Sequence, residues 1–126
     1  MSEPASERTF TVEEANAMLP ELRERLARIR DARQVVIRGG ERVREAVAAD
    51  GGGVEGSAYF QALGILRTEV ERFAEDGILL RDAEAGIVDF PGEVQGEQAF
   101  LCWRSDETRV GHWHSPHSGF AARRPL

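Results

Sequence analysis

Lysine is missing from this chain, and all 16 basic residues are arginine. That excludes a P-loop, which needs a lysine to reach the phosphates. Cysteine occurs once, as Cys102, so no internal disulfide can form and a reducing cytoplasm is the expected compartment. No apolar run approaches the roughly 20 residues that a helical membrane span requires. The first residues, Met1 to Arg8, are polar and carry no hydrophobic signal segment. Cys-x-x-Cys, His-Glu-x-x-His and Gly-x-Ser-x-Gly are all absent, which removes the common zinc, redox and hydrolase signatures. Positive charge is in deficit. A net charge of −6 keeps the chain soluble and argues against a nonspecific grip on nucleic acid.

What is present reads as one α+β domain of 126 residues, long enough to bury a core without staples. The exclusive use of arginine is read as the codon preference of a GC-rich bacterial genome. Residues 1–8 read as a flexible tail, 10–76 as a helical part, and 78–126 as a strand part ending in a docking segment. Thr11 and Glu14 form a capping-box pattern after Phe10, which starts a short helix over 12–18. Pro20 interrupts it, and a long helix restarts there, since proline fits a first turn. Leu22, Leu26, Ile29, Val36, Val43 and Val47 draw one apolar stripe to about Ala49. Gly39-Gly40 costs about 1 kcal/mol per glycine and marks either a bend or a close approach by a partner backbone. Along this helix Glu21–Arg25 and Glu24–Arg28 fit i,i+4 pairs, so the arginine run from Arg23 to Arg44 reads as a solvated, paired face.

Asp50-Gly51-Gly52-Gly53 is a flexible connection to a second helix from about Ser57 to Glu75, striped by Tyr59, Leu63, Leu66, Val70 and Phe73. Gly77 and Ile78 form its glycine C-cap. The two helices make a long antiparallel hairpin whose apolar stripe needs a cover. Short alternating runs supply it: 78–80, 87–90, 98–104 and 109–114. Turn residues separate them at Asp82–Gly86, Pro91-Gly92, Gln95-Gly96 and Ser105–Thr108. The expectation is a small antiparallel β-meander of three to four strands packed on the hairpin.

The scarce reactive side chains crowd into the segment from Cys102 to Leu126: both tryptophans (Trp103, Trp113), all three histidines (His112, His114, His117) and the lone cysteine. His112 and His114 share a strand face. A four-residue turn over Ser105–Thr108 would put Ala99, Leu101 and Trp103 on that face, leaving Phe100 and Cys102 with Trp113. A one-residue change in the turn would reverse the assignment. His-x-His with a third histidine suits a transition-metal ion such as zinc, and Asp89 or Asp82 could complete the set. Cys102, inside Ala-Phe-Leu-Cys-Trp, fits a small buried hydrophobe better than a nucleophile with His114 as base. The arginine-rich terminus would dock through Arg123 or Arg124 on Asp89 or another acid, or else form an anion site.

Phe10-Thr11-Val12-Glu13-Glu14-Ala15-Asn16-Ala17-Met18-Leu19-Pro20-Glu21-Leu22, Gly86-Ile87-Val88-Asp89-Phe90-Pro91, Leu101-Cys102-Trp103-Arg104, Trp113-His114 and Gly119-Phe120-Ala121-Ala122-Arg123 resemble a group of small bacterial proteins catalogued as domain of unknown function 2203. The resemblance covers nearly the whole chain and carries no activity with it. It implies a shared role around the Trp-His end, resting on Asp89, Cys102, Trp103, His114, Gly119, Phe120 and Arg123, with His112 and His117 particular to this chain.

Three functional expectations follow. The first is a non-enzymatic ligand- or metal-binding domain. It centres on His114, with His112 and His117 as further ligands, Asp89 and Arg123 as a charged pair, and Trp103 and Trp113 as apolar walls. The second is an interaction module that self-associates through the hairpin as a homodimer. The third, and weakest, is an enzyme using Cys102 or His114.

Overall fold

The computed structural model describes residues 8–50 and 57–126. The tail at 1–7 and the glycine connection at Gly51–Gly53 lie outside the described residues, as do the side chains of Val43 and Val47. Helix α1 spans Val12–Ala17 and is closed by a full capping box. The Glu14 amide donates to the Thr11 hydroxyl at 3.0 Å, and the Glu14 carboxylate accepts from the Thr11 amide at 2.8 Å. Helix α2, Leu19–Asp50, begins one residue before the proline. It runs through Gly39-Gly40 without a break. There the Tyr59 ring lies so close that a Cβ on Gly39 would stand 2.9 Å from it. Close approach is therefore the reason for the glycine, and the approaching group is a side chain, not a backbone.

Helix α3, Ser57–Asp76, packs against α2. It ends in a Schellman motif: the Gly77 amide donates to the Ala74 carbonyl, the Ile78 amide to the Phe73 carbonyl, and Gly77 has φ of 72°. Most of the ion pairs here run between these helices, and one, Arg72 to Glu69, runs along α3. Arg25 is buried. Its Nε donates to Glu69 at 2.7 Å, its Nη1 to Asp76 at 3.0 Å, and its guanidinium lies 4.4 Å from the Phe73 ring centre. Arg28 and Arg72 converge on the same Glu69 carboxylate, while Glu21 pairs with Arg72. The in-helix pairing expected for Glu21–Arg25 gives way because the buried Glu69 offers Arg25 a drier partner.

The sheet has five strands in the order β1-β2-β3-β4-β5, all antiparallel: β1 Leu79–Asp82, β2 Ile87–Val94, β3 Glu97–Arg104, β4 His112–His114 and β5 Arg124–Pro125. The fifth strand is the terminal docking segment. Pro91-Gly92, expected as a turn, sits inside β2 instead. Pairing of β1 stops at Asp89, so the missing proline N–H breaks no ladder with that strand. Gly92 is needed because the chain entering α1 crosses directly above it, and a Cβ there would meet the Phe10 carbonyl oxygen at 2.8 Å. Gln95 and Gly96, with φ of 55° and 81°, form the tight β2–β3 turn.

The two sheet faces differ sharply. Val88, Phe90, Leu101 and Trp103 join Leu22, Leu26 and Ile29 of α2, Phe73 of α3, and Phe10 in the apolar core. The opposite face carries Asp89, Cys102, His112 and His114.

Removing Glu69 would strand the buried guanidinium of Arg25. Glu69→Ala is therefore expected to lower unfolding free energy by about 3 kcal/mol. Arg25→Met, which removes the charge and keeps the packing, should cost much less. Urea unfolding of the two variants checks this, and equal losses would contradict it.

Candidate functional site

The pairing of β3 with β4 sets Phe100 opposite His114, Leu101 opposite Trp113 and Cys102 opposite His112. This corrects the expected register by one residue. The turn between the strands is longer than Ser105–Thr108, and strand pairing resumes only at His112. Cys102 and Phe100 therefore share the histidine face, while Ala99, Leu101 and Trp103 lie on the core face with Trp113. Trp103 is fully buried there, and its Nε1 donates to the Glu107 carbonyl at 2.9 Å.

His114 is buried, and both its ring nitrogens are engaged. Nδ1 lies 2.8 Å from the Ser115 carbonyl oxygen and Nε2 lies 2.9 Å from Asp89 Oδ2. A carbonyl can only accept, so Nδ1 carries a hydrogen and Nε2 is the nitrogen turned toward the acid. The Phe100 ring packs 5.5 Å from the imidazole. Asp89 Oδ2 also accepts from Arg81 Nε at 2.9 Å. Arg81 is the extra residue of a bulge in β1, where the register shifts between Leu80 and Asp82. Asp89 Oδ1 is buried with no hydrogen-bond partner.

Cys102 stands in β3 between these strands. Burial, followed by the negative charge of Asp89, pushes its thiol up to about 12. At neutral pH it is a thiol, and the imidazole nitrogen that would activate it faces Asp89 instead. The geometry of a cysteine nucleophile with His114 as base is therefore absent. What the arrangement does offer is a set of donor atoms. One each from Asp89, Cys102 and His114 lie within 4.8 Å of one another, and all three residues are buried.

Arg123 reaches Glu107 and not Asp89. Its Nη1 and Nη2 donate to the two Glu107 oxygens at 2.9 and 3.0 Å, and its guanidinium stacks 4.1 Å from the Phe120 ring centre. Burial works against the Glu107 charge, but Arg123 and the Arg104 amide outweigh it and hold the carboxyl below its ordinary value. His112 is half-buried, its Nδ1 3.6 Å from Glu107 Oε2. His117 lies outside the cluster, in an open groove of about 650 Å³ whose lining includes Trp113, His114, Ser115 and Arg124. Arg81 and Glu107 had no signal in the sequence. One is placed by a bulge, the other by a turn whose length the residues do not declare.

Residues 8–126 match the model of a family described as uncharacterized conserved protein, DUF2203. No curated protein and no solved structure matches the chain.

Glu107→Gln breaks the paired hydrogen bonds to Arg123. It should lower stability by about 2 kcal/mol at neutral pH, the range for bonds to charged groups. The folded carboxyl ionises below its unfolded value, so its contribution is full above about pH 4.5 and fades as pH falls through the folded value. Urea unfolding at neutral pH and in mild acid should show the gap between the two proteins closing in acid. A constant gap would contradict it.

Proposed function

The chain belongs to the DUF2203 family, and for it we propose a metal-binding domain that holds a transition-metal ion such as zinc on Asp89, Cys102 and His114. The observation that carries this reading is the convergence of three different donor types, from three adjacent strands, to within 4.8 Å in a buried place. Carboxylate, thiolate and imidazole together suit zinc and its neighbours in the first transition row. The bond from His114 Nδ1 to the Ser115 carbonyl supports the reading further. Metal-bound histidines commonly give their other ring N–H to a backbone carbonyl, which fixes the ring and the tautomer.

Two guanidiniums border the cluster, Arg81 on Asp89 and Arg123 near the thiol. Like charge opposes an entering cation. Deprotonated Cys102 together with Asp89 supplies two negative charges against it, and Arg81, with 46% of its side chain exposed, is free to turn to solvent. Coordination draws the proton off the thiol, so binding releases at least one proton. Apparent affinity should therefore rise by at least about tenfold per pH unit near neutrality.

Elemental analysis of tag-free protein purified without chelator, followed by a zinc titration, tests the reading. One equivalent is expected, lost in Cys102→Ser and sharply weakened in Asp89→Asn while circular dichroism stays unchanged. Substoichiometric content with no uptake on titration would overturn it.

A second observation supports self-association by the hairpin. Phe60 and Val70 on α3 are 59% and 68% exposed, and Ile37 on α2 is 54% exposed. At 100° per residue Phe60, Leu63 and Val70 fall on one side of α3, and such apolar surface marks interfaces. Sedimentation at low micromolar concentration should show a dimer that Val70→Glu dissociates. A monomeric wild type would defeat this second reading. Among the described residues no helix is long and apolar enough to cross a membrane.

A further inference from the structure

Among the described residues, three buried side-chain polar atoms lack a hydrogen-bond partner: Arg25 Nη2, Asp89 Oδ1 and His112 Nδ1. The first belongs to the helical hairpin. The other two flank Cys102, because Asp89 is its partner on β2 and His112 its partner on β4. Directly opposed residues of an antiparallel pair have Cβ atoms about 5 Å apart and share a face. Two unsatisfied ligand-type atoms therefore stand on either side of the one thiol in the chain. A buried polar atom without a partner carries its full desolvation cost.

We infer that His112 is the fourth ligand of the metal site formed by Asp89, Cys102 and His114, giving a closed Asp-Cys-His-His set. This inference rests on the metal-binding reading of those three residues. Three points favour His112. A four-coordinate zinc site with only three protein ligands keeps an open position for water, whereas Asp89, Cys102 and His114 are all buried. The other nearby ligand-type group, Glu107, already holds Arg123 with both oxygens. His112 Nδ1 is 3.6 Å from Glu107 Oε2, beyond a good hydrogen bond, so the ring is not tied down. His112 lies outside the 4.8 Å group, but it is the direct partner of Cys102 on β4 and shares its face of the sheet.

His117 is placed differently. It lines the open groove, away from the row of β2, β3 and β4 residues, and contributes no ligand. The two flanking histidines, alike in sequence, are thus separated by their position in the fold.

A cobalt(II) titration of the tag-free full chain, followed by absorption, tests the assignment. Wild type should give a thiolate charge-transfer band and the intense visible bands of a four-coordinate ion. His112→Gln should keep the thiolate band and shift the visible bands, as water takes the place of an imidazole. Its affinity should fall more than about 100-fold, beyond the cost of removing a group that merely orients a ligand. His117→Gln should match wild type. Circular dichroism confirms that each variant is folded. If folded His112→Gln retains wild-type affinity and spectrum, the fourth-ligand assignment is wrong while the three-residue site stands. If wild type itself takes up no cobalt, the metal-binding reading and this inference both fail.

Discussion

The position of Glu107 is the constraint on which the rest of this architecture hangs. Its carbonyl accepts the Trp103 indole N–H and the Arg23 guanidinium, and its carboxylate accepts the Arg104 amide and both Nη atoms of Arg123. One turn residue thereby ties β3 to α2, fixes where β3 ends, and holds the C-terminal segment so that β5 can pair with β4. The same turn adds the residue that shifts β4 by one place. That shift decides which side chains meet: with it Cys102 faces the histidines, and without it Trp103 would.

Much of the helical half was legible in the sequence. Thr11 with Glu14, Pro20, and Gly77 with Ile78 each encode a local conformation through their own chemistry, and the structure places caps and ends within a residue or two of them. Gln95-Gly96 likewise declares its turn. What stayed hidden depends on contacts distant in sequence. Pro91-Gly92 carries the residues of a turn, yet the strand continues because the Phe10 segment lies across it. Arg81 reaches Asp89 through a bulge that leaves no compositional trace. The gathering of rare residues near the C-terminus was visible, but its division into a core tryptophan, a buried histidine and a groove histidine depended on a register that alternation alone leaves ambiguous.

The fold keeps its two polar problems apart. In the hairpin, three arginines converge on Glu69, and burial strengthens each bond because little water competes. On the far face of the sheet, Asp89 and His114 are buried among Arg81, Phe100 and Ser115, and Asp89 Oδ1 and the neighbouring His112 Nδ1 are left unsatisfied. The first network is nearly complete and rigidifying, while the second is incomplete beside a thiol. The proposed metal site rests on this contrast within one small domain.

Asp89, Cys102 and His114 come from three consecutive strands, so no two-stranded fragment contains the full set. The constellation exists only once the meander has closed as far as β4. A ligand bound there would read the completeness of the sheet and add its free energy to that step. The apolar core shared with the sheet takes residues from Leu19 to Ile29 of α2 and Leu66 and Phe73 of α3, so the far ends of the two helices lie outside it. A ligand at this site would therefore protect backbone amides in the sheet against exchange while leaving the distal turns of the long helices almost untouched.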